Sequence, residues 1–389
     1  MKVLVITERF FPEDFLVNDL VKAWKDLGDD VEVLTQVPSY PMDKIYDGYE
    51  NKRMQTTCEF HGISVHRVST IFGYNKSVKL KVLNYIHFAL RTFFWALLHG
   101  RKYDKVFVYH TAALTMATSV IALKKIWRKE VSIWTQDLWP DAVWGFGFKK
   151  TKFREFLLNS FVRRIYSCCD RIMVSCRQFI PRIKEICGRD AQFVPQWDTM
   201  DDSSVEKILT AKGTSSGNVN FMFAGNLGKP QNLLNVLNGF AKASLEDATL
   251  HFVGAGVMLE ELKLAAKDIA NIVFHGRKKR EDMPVWYQMA DVLIISLTKE
   301  YKLTLPGKFQ SYIRTGKPIV GVLLGDAREM IEEFNLGFTS DPDDIEGIAE
   351  AFAKAAKVVR DTSLLGYQKR AVELSKKMFD REKLIAALR

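Results

Sequence analysis

Twice along this chain a series of short apolar runs alternates with helical patterns, and one polar stretch separates the two series. The first series comprises MKVLVIT (1–7), DVEVLTQ (30–36), KVFVYH (105–110), VSIWTQD (131–137) and RIMVSC (171–176). Between its first two members DLVKAWKDLG (19–28) reads as an amphipathic helix ending at Gly28. The second series comprises VNFMFAG (219–225), ATLHFVGAG (248–256), NIVFHG (271–276), DVLIISL (291–297) and KPIVGVLL (317–324). Strands separated by helices predict a parallel sheet with helices on both faces. The stretch between the series, 198–218, is rich in Ser, Thr, Gly and Asp. The expected organisation is a doubly wound α/β domain over 1–197, a linker over 198–218, a second such domain over 219–363, and a basic helix over 364–389 that could pack back on the first domain. Ligands of such sheets bind beyond the carboxyl ends of the strands, so two facing domains would enclose a cleft.

The charge balance narrows the partners. Over 389 residues, 56 Lys and Arg against 46 Asp and Glu give +10, which favours nucleic acid, anionic lipid or phosphorylated small molecules. Nucleic acid is disfavoured because the basic residues lie among large apolar side chains and no recognised module appears. The five cysteines, Cys58, Cys168, Cys169, Cys176 and Cys187, have no CxxC or zinc spacing and read as free thiols of a reducing compartment. The opening MKVLVITERFFPE meets charge within eight positions and reads as a core strand, not a secretion signal. Residues 82–100, VLNYIHFALRTFFWALLHG, are interrupted by Asn84, His87 and Arg91 and fall short of a clean spanning helix. The expected location is cytoplasmic.

Each strand of the second series ends in small or polar residues. AGNLGKPQNLL (224–234) has Gly225 and Gly228, where backbone can approach a ligand, with Asn226, Lys229 and Gln231 as its polar groups. A plain strand-to-helix turn reads equally well. FVGAGVML (252–259) carries Gly254 and Gly256 but has Leu259 where a dinucleotide fingerprint needs its third glycine. Arg277 opens a run of four basic residues that either borders a nucleotide pocket or is a solvated face. In KEYKLTLPGKFQSYIRTGKPIVG (299–321), Lys302, Thr304, Pro306, Gly307 and Lys308 lead into a short helix that Gly316 and Pro318 stop. A phosphate at that helix start would meet backbone N–H groups and the positive end of the dipole. A lysine in the first turn is unfavourable there unless an anion is bound; otherwise it must bend away into water.

With these segments the chain resembles retaining glycosyltransferases of family 4, which have the GT-B fold of two facing Rossmann-like domains. The closer likeness is to the bacterial O-antigen, capsule and exopolysaccharide branch, including fucosamine-transferase-like enzymes. It rests on FFPEDFLVNDL (10–20), VPSYPMDKIYDGY (37–49), WTQDLWPDAV (134–143), AGNLGKPQNL, FVGAG, MADVLIISL (289–297) and TLPGKFQSYIRTGKPIV. The resemblance implies transfer of a sugar from a nucleotide-sugar donor, UDP-linked, to a lipid-linked or glycan acceptor, with no bound metal or cofactor. Two departures stand out. Ser311 occupies the place of the second Glu of the family's Glu-x7-Glu, where Leu303 precedes it by eight and Glu300 is out of register. Asn226 and Gln231 stand where the family has Arg and Lys. The diphosphate would then fall to Lys308, Lys302 and Lys229, in that order.

In the first half, Gln136, Asp137 and Trp139 close a strand of the expected sheet. Asp137 could accept a proton or bind a sugar hydroxyl, and Trp139 could stack on a sugar face, or the two could simply cap and pack that strand end. His110 ends KVFVYH and is either near the chemistry or a satisfied structural residue. Glu13 and Asn18 in FFPEDFLVND are candidates for acceptor contacts. Lys76, Lys79, Lys81, Arg91, Arg101 and Lys102 surround Phe88, Phe93, Phe94 and Trp95, and GFGFKKTKFREF (145–156) repeats the mixture. Such helices can lie on an anionic membrane, which would place the protein peripherally on the inner face of the cytoplasmic membrane. The rival readings are a sugar-nucleotide 2-epimerase and a basic membrane-associated binding protein without catalysis.

Overall fold

In the computed structural model the apolar runs become strands of two mainly parallel sheets. The structure describes residues 1–389 apart from 75, 146–148, 212–216, 270 and 362–363. The chain divides into one unit of Met1–Val194 with Glu382–Arg389, and a second of Pro195–Arg381. The fold is α/β with two Rossmann-like units, the GT-B pattern.

The first unit's sheet contains β1 (Lys2–Ile6), β2 (Asp30–Gln36), β3 (Met54–Phe60), β4 (Ile63–Val68), β5 (Lys105–His110), β6 (Glu130–Thr135), β7 (Arg171–Val174) and β8 (Gln192–Phe193). Its order is β3-β4-β2-β1-β5-β6-β7-β8, so the direction of winding reverses between β1 and β5. β1 and β5 are buried along nearly their whole length, which is why they read as continuous apolar runs without alternation. Helix α1 (Leu16–Asp26) lays Val17, Leu20, Val21 and Trp24 on the sheet, and Trp24 meets Phe107 edge-on at 4.9 Å. A second helix, α2 (Val78–His99), buries Phe88, Thr92, Trp95 and Ala96.

The β3–β4 hairpin is the antiparallel part of this sheet, and the sequence reading did not anticipate it. MQTTCEF is mostly polar and half exposed, so it lacks the buried-strand signature. His61 and Gly62, both with positive φ (49° and 71°), make the tight turn between the two strands.

The second unit's sheet contains β9 (Val219–Ala224), β10 (Ala248–Val253), β11 (Ile272–Gly276), β12 (Val292–Ser296), β13 (Ile319–Val322) and β14 (Gly337–Ser340). Its order, β11-β10-β9-β12-β13-β14, is the 3-2-1-4-5-6 order of a dinucleotide-type fold, with the switch point between β9 and β12. The core is aromatic: Phe221, Phe240 and Phe352 meet edge-on at 4.9–6.0 Å.

Two expected boundaries differ from what is observed. The polar stretch assigned as a linker over 198–218 holds a helix, Asp202–Thr210, whose start is capped by Asp201 accepting from the Ser204 N–H at 2.9 Å. Its residues 212–216 lie outside the described residues, as do 146–148 of the basic aromatic stretch. The C-terminal segment is two helices, Leu364–Met378 in the second unit and Arg381–Leu388, nearly all of which belongs to the first. That last helix is held by Trp24 Nε1 donating to Ile385 O (3.4 Å), Arg171 donating to Ala387 O (2.6 Å), and an Arg389–Asp29 ion pair (2.8 Å).

Candidate functional site

At the carboxyl end of β9 the chain turns sharply, and glycine is required there for a steric reason. Gly225 and Gly254 both have positive φ, 146° and 151°. A Cβ on Gly254 would lie 1.8 Å from the Gly225 carbonyl oxygen, so the loops after β9 and β10 touch backbone to backbone. Gly225 N donates to Val253 O (2.8 Å), and Gly254 N to Gly276 O (2.9 Å), lacing three strand ends together. Asn226, Lys229 and Arg277 project from these loops and are exposed. Gln231 turns back on its own loop, its Oε1 accepting from Gly228 N at 3.1 Å. Its side chain thus braces the turn in which the expected donor contacts lie.

Lys308 comes to the same place from β12. It begins the helix Lys308–Thr315, and its side chain runs back toward β9. The ammonium sits 3.7 Å from the centre of the Phe223 ring, and a Cβ on Gly225 would lie 2.8 Å from Nζ. No acidic group pairs with it among the described residues. Burial pushes its pKa down to about 7. One turn on, Tyr312 accepts the Ala224 N–H at 3.1 Å through its hydroxyl, which fixes the helix to the last residue of β9. Lys308 and Tyr312, four apart, therefore share the face turned to the switch point.

The loop before this helix is braced internally. Phe309 N donates to Pro306 O at 2.9 Å, and Thr304 N to Tyr301 O at 3.0 Å. Buried Gln310, with its amide nitrogen toward the loop, donates to Gly307 O at 2.7 Å. Gly307 and Lys302 are exposed, and Thr304 is half-buried. Of the expected donor residues, the structure thus brings Gly225, Gly254 and Lys308 together and leaves Lys229, Lys302 and Arg277 at the surface.

Ser311, expected to contact the donor, is engaged with a neighbouring carboxylate. Its hydroxyl donates to Asp198 Oδ1 at 2.6 Å, and the other Asp198 oxygen takes Arg314 Nη1 at 2.9 Å. Arg314 also reaches Met200 O (2.5 Å) and Asp202 (2.6 Å). A carboxylate from the stretch assigned as linker therefore stands against the position where the family carries its own. No short-range pattern announces this pairing, because its members are 113 residues apart.

In the first unit the expected acceptor residues do structural work. Glu13 is buried, and its Oε1 accepts the backbone N–H groups of Ser39 (2.8 Å) and Tyr40 (2.7 Å). Asn18 accepts from Phe11 N (3.0 Å) and donates to Glu13 O (2.7 Å). Asp137 Oδ2 accepts from Ala112 N at 2.7 Å while Trp139 Nε1 donates to Ala112 O at 2.8 Å. The pair clamps Ala112, whose φ of 59° is left-handed. Burial pushes the Asp137 carboxyl up, opposed by the Ala112 N–H. Gln136 is buried, with its N–H on His110 O at 2.8 Å. His110 is fully buried; neither ring nitrogen has a hydrogen-bond partner among the described residues, and burial pushes it down to about 3. A ring that stays neutral in this way fits a packed strand end and does not fit a proton shuttle at neutral pH.

The polar group that the sequence reading missed is at the end of β1. Arg9 bridges Glu8 Oε1 (3.2 Å) and Glu13 Oε1 (3.4 Å) and lies over the rings of Tyr40 and Tyr74. Burial raises both carboxyls and Arg9 opposes it. The signal was available in ITERFFPE, two acids and an arginine directly after a central strand.

Residues 218–357 match the family described as glycosyl transferases group 1. The probable glycosyltransferase WbjE of Pseudomonas aeruginosa is 25% identical over 252 residues, an alignment that covers 61% of this chain and 62% of that protein. The putative colanic acid biosynthesis glycosyl transferase WcaI of Escherichia coli K12 is 21% identical over 99% of this chain and 98% of its own. Among solved structures, Anabaena HepE in complex with UDP superposes with a TM-score of 0.70 at 15% identity, over 100% of this chain and 98% of that one. The chain has the GT-B fold, and both its family match over residues 218–357 and its two relatives are described as glycosyltransferases.

Proposed function

We propose that the chain transfers a sugar, with retention, from a UDP-linked donor to a lipid-linked or glycan acceptor in the synthesis of a bacterial surface polysaccharide. One observation carries the reading. Lys308 has no acidic partner among the described residues and packs against a glycine turn at the switch point of a dinucleotide-type sheet. A diphosphate placed there would give the ammonium the counter-charge that the Phe223 ring supplies only weakly. The relative WcaI is named for colanic acid biosynthesis, and HepE was solved with UDP; both support the substrate class.

In this reading the bond from the anomeric carbon to the diphosphate breaks while the acceptor hydroxyl oxygen bonds to the same face. The hydroxyl proton passes to the departing diphosphate, whose charge Lys308 stabilises. Preorganised electrostatic support of this kind contributes about 3–4 kcal/mol per donor. The missing Arg and Lys at Asn226 and Gln231 concentrate that task on Lys308.

A thermal-shift and calorimetric panel of UDP, GDP and ADP with their sugars tests the proposal. A ligand at 100 times its dissociation constant stabilises by about 2.7 kcal/mol, so a UDP-specific shift is readily seen. Absence of binding by any nucleoside diphosphate would remove the reading.

A further inference from the structure

The outer face of α2 carries large apolar side chains with nothing covering them. Val78, Val82, Ile86, Leu90, Phe94 and Leu98, each four residues from the last, are 61%, 41%, 47%, 52%, 59% and 78% exposed. A soluble protein tolerates scattered exposed apolar residues, but a continuous row along one helix marks an interaction surface. Steps of four residues advance about 40° around a helix of 3.6 residues per turn, so Ile86, Leu90 and Phe94 centre the outer face while Val78 and Leu98 lie toward its edges. The opposite face buries Asn84, Phe88, Thr92 and Trp95, so the helix is anchored to the sheet and presents a fixed surface. The aromatic residues singled out from the sequence are thus split: Phe88 and Trp95 belong to the core, and Phe94 belongs to the outer row.

Charge decides what the row faces. No Asp or Glu occurs between Glu59 and Asp104. Lys76 and Lys79 are exposed at one end of α2 and Arg101 at the other, and among the described residues none of the three has an acidic partner. An isologous contact with a second copy would set these cations against themselves. An anionic bilayer satisfies both features, taking the apolar row into its acyl boundary and the cations among its headgroups. No helix of the described residues is long and apolar enough to cross a membrane, so the geometry is that of a helix lying in the interface plane.

We infer that α2 is a membrane-docking helix, which binds an anionic lipid surface through the apolar face centred on Ile86, Leu90 and Phe94 and the cations at its two ends. The inference rests on the surface of the first unit and stands whether or not sugar transfer is the activity.

The test is co-sedimentation of the full chain with vesicles of phosphatidylglycerol and phosphatidylcholine, and with phosphatidylcholine alone. Wild type should partition at least tenfold more strongly onto the anionic vesicles, and 0.5 M salt should weaken that binding. Leu90→Glu with Phe94→Glu should abolish it, and Lys76→Glu with Lys79→Glu should reduce it severalfold, with thermal midpoints and UDP affinity unchanged because these side chains are exposed. Equal partition onto both vesicles, or full binding by the Leu90/Phe94 variant, would overturn the inference. So would a wild-type dimer in light scattering that the same variant dissociates, since the row would then be a contact between copies.

Discussion

The Lys308 ammonium rests 3.7 Å from the centre of the Phe223 ring, and the end of its side chain lies against Gly225. Two forces compete at this position. The ring quadrupole attracts the cation by about 0.5–2 kcal/mol. Removing the ammonium from water costs more than that, and the pKa accordingly falls to about 7. A bound anion would reverse the balance and return the proton.

Nucleotide binding should therefore take up a proton. Above pH 7 the free site is largely neutral, so UDP affinity should fall by up to about tenfold per pH unit between 7 and the pKa of the complex. Calorimetry at pH 8 in phosphate and in Tris should give different heats, and identical heats would show that no proton moves. For the unliganded protein the sign is opposite. The folded pKa lies below the unfolded 10.5, so the cost of charging is fully felt below pH 7 and is relieved as pH rises from about 7 to 10.5. Lys308→Met should remove that rise and lower turnover at least tenfold.

Restoring the family's glutamate should harm this protein. Ser311 donates to Asp198, so Ser311→Glu would set two carboxylates in contact within a partly buried site. The single variant should lose about 1–3 kcal/mol in urea unfolding. Adding Asp198→Ser should recover most of the loss, giving a coupling energy of about 0.5–3 kcal/mol. Additive losses would mean that the two side chains do not meet.

Gly254→Ala should be among the most damaging small substitutions in the second unit. Its Cβ would lie 1.8 Å from the Gly225 carbonyl, whereas a Cβ on Gly276 meets nothing within 4 Å. Overpacking against backbone costs about 1–3 kcal/mol or more, while Gly276→Ala carries only the penalty of its positive φ. Thermal midpoints of the two variants should differ in that order, and equal midpoints would contradict the close approach.

His110 should make the protein acid-sensitive. Its folded pKa of about 3 lies below the ordinary 6.5 because the ring is buried. The resulting stability is fully present above pH 6.5 and is lost as pH falls toward 3, at up to about 1.4 kcal/mol per unit. His110→Leu should flatten the acid limb of the stability curve. A limb of unchanged steepness would show that the ring is hydrated.

The sequence carried most of the sheet architecture because strands buried on both faces must be apolar throughout. β1, β5, β9 and β12 could be read for that reason. The β3–β4 hairpin could not, since its exposed edge strand is polar and its pairing depends on a two-residue turn. Among the candidate residues, Lys308 was legible as a charge in an unfavourable first turn. Glu13, Asn18, Asp137 and Trp139 were legible as polar groups near strand ends, but their internal hydrogen bonds were not.

Local pattern, then, dictated two wound sheets and a lysine at a helix start, because periodicity and helix polarity act between near neighbours. Which ring that lysine covers, which aspartate Ser311 holds and which side of α2 stays bare were decided only when distant segments packed, since those contacts are set by shape and desolvation across more than eighty residues in the first two cases.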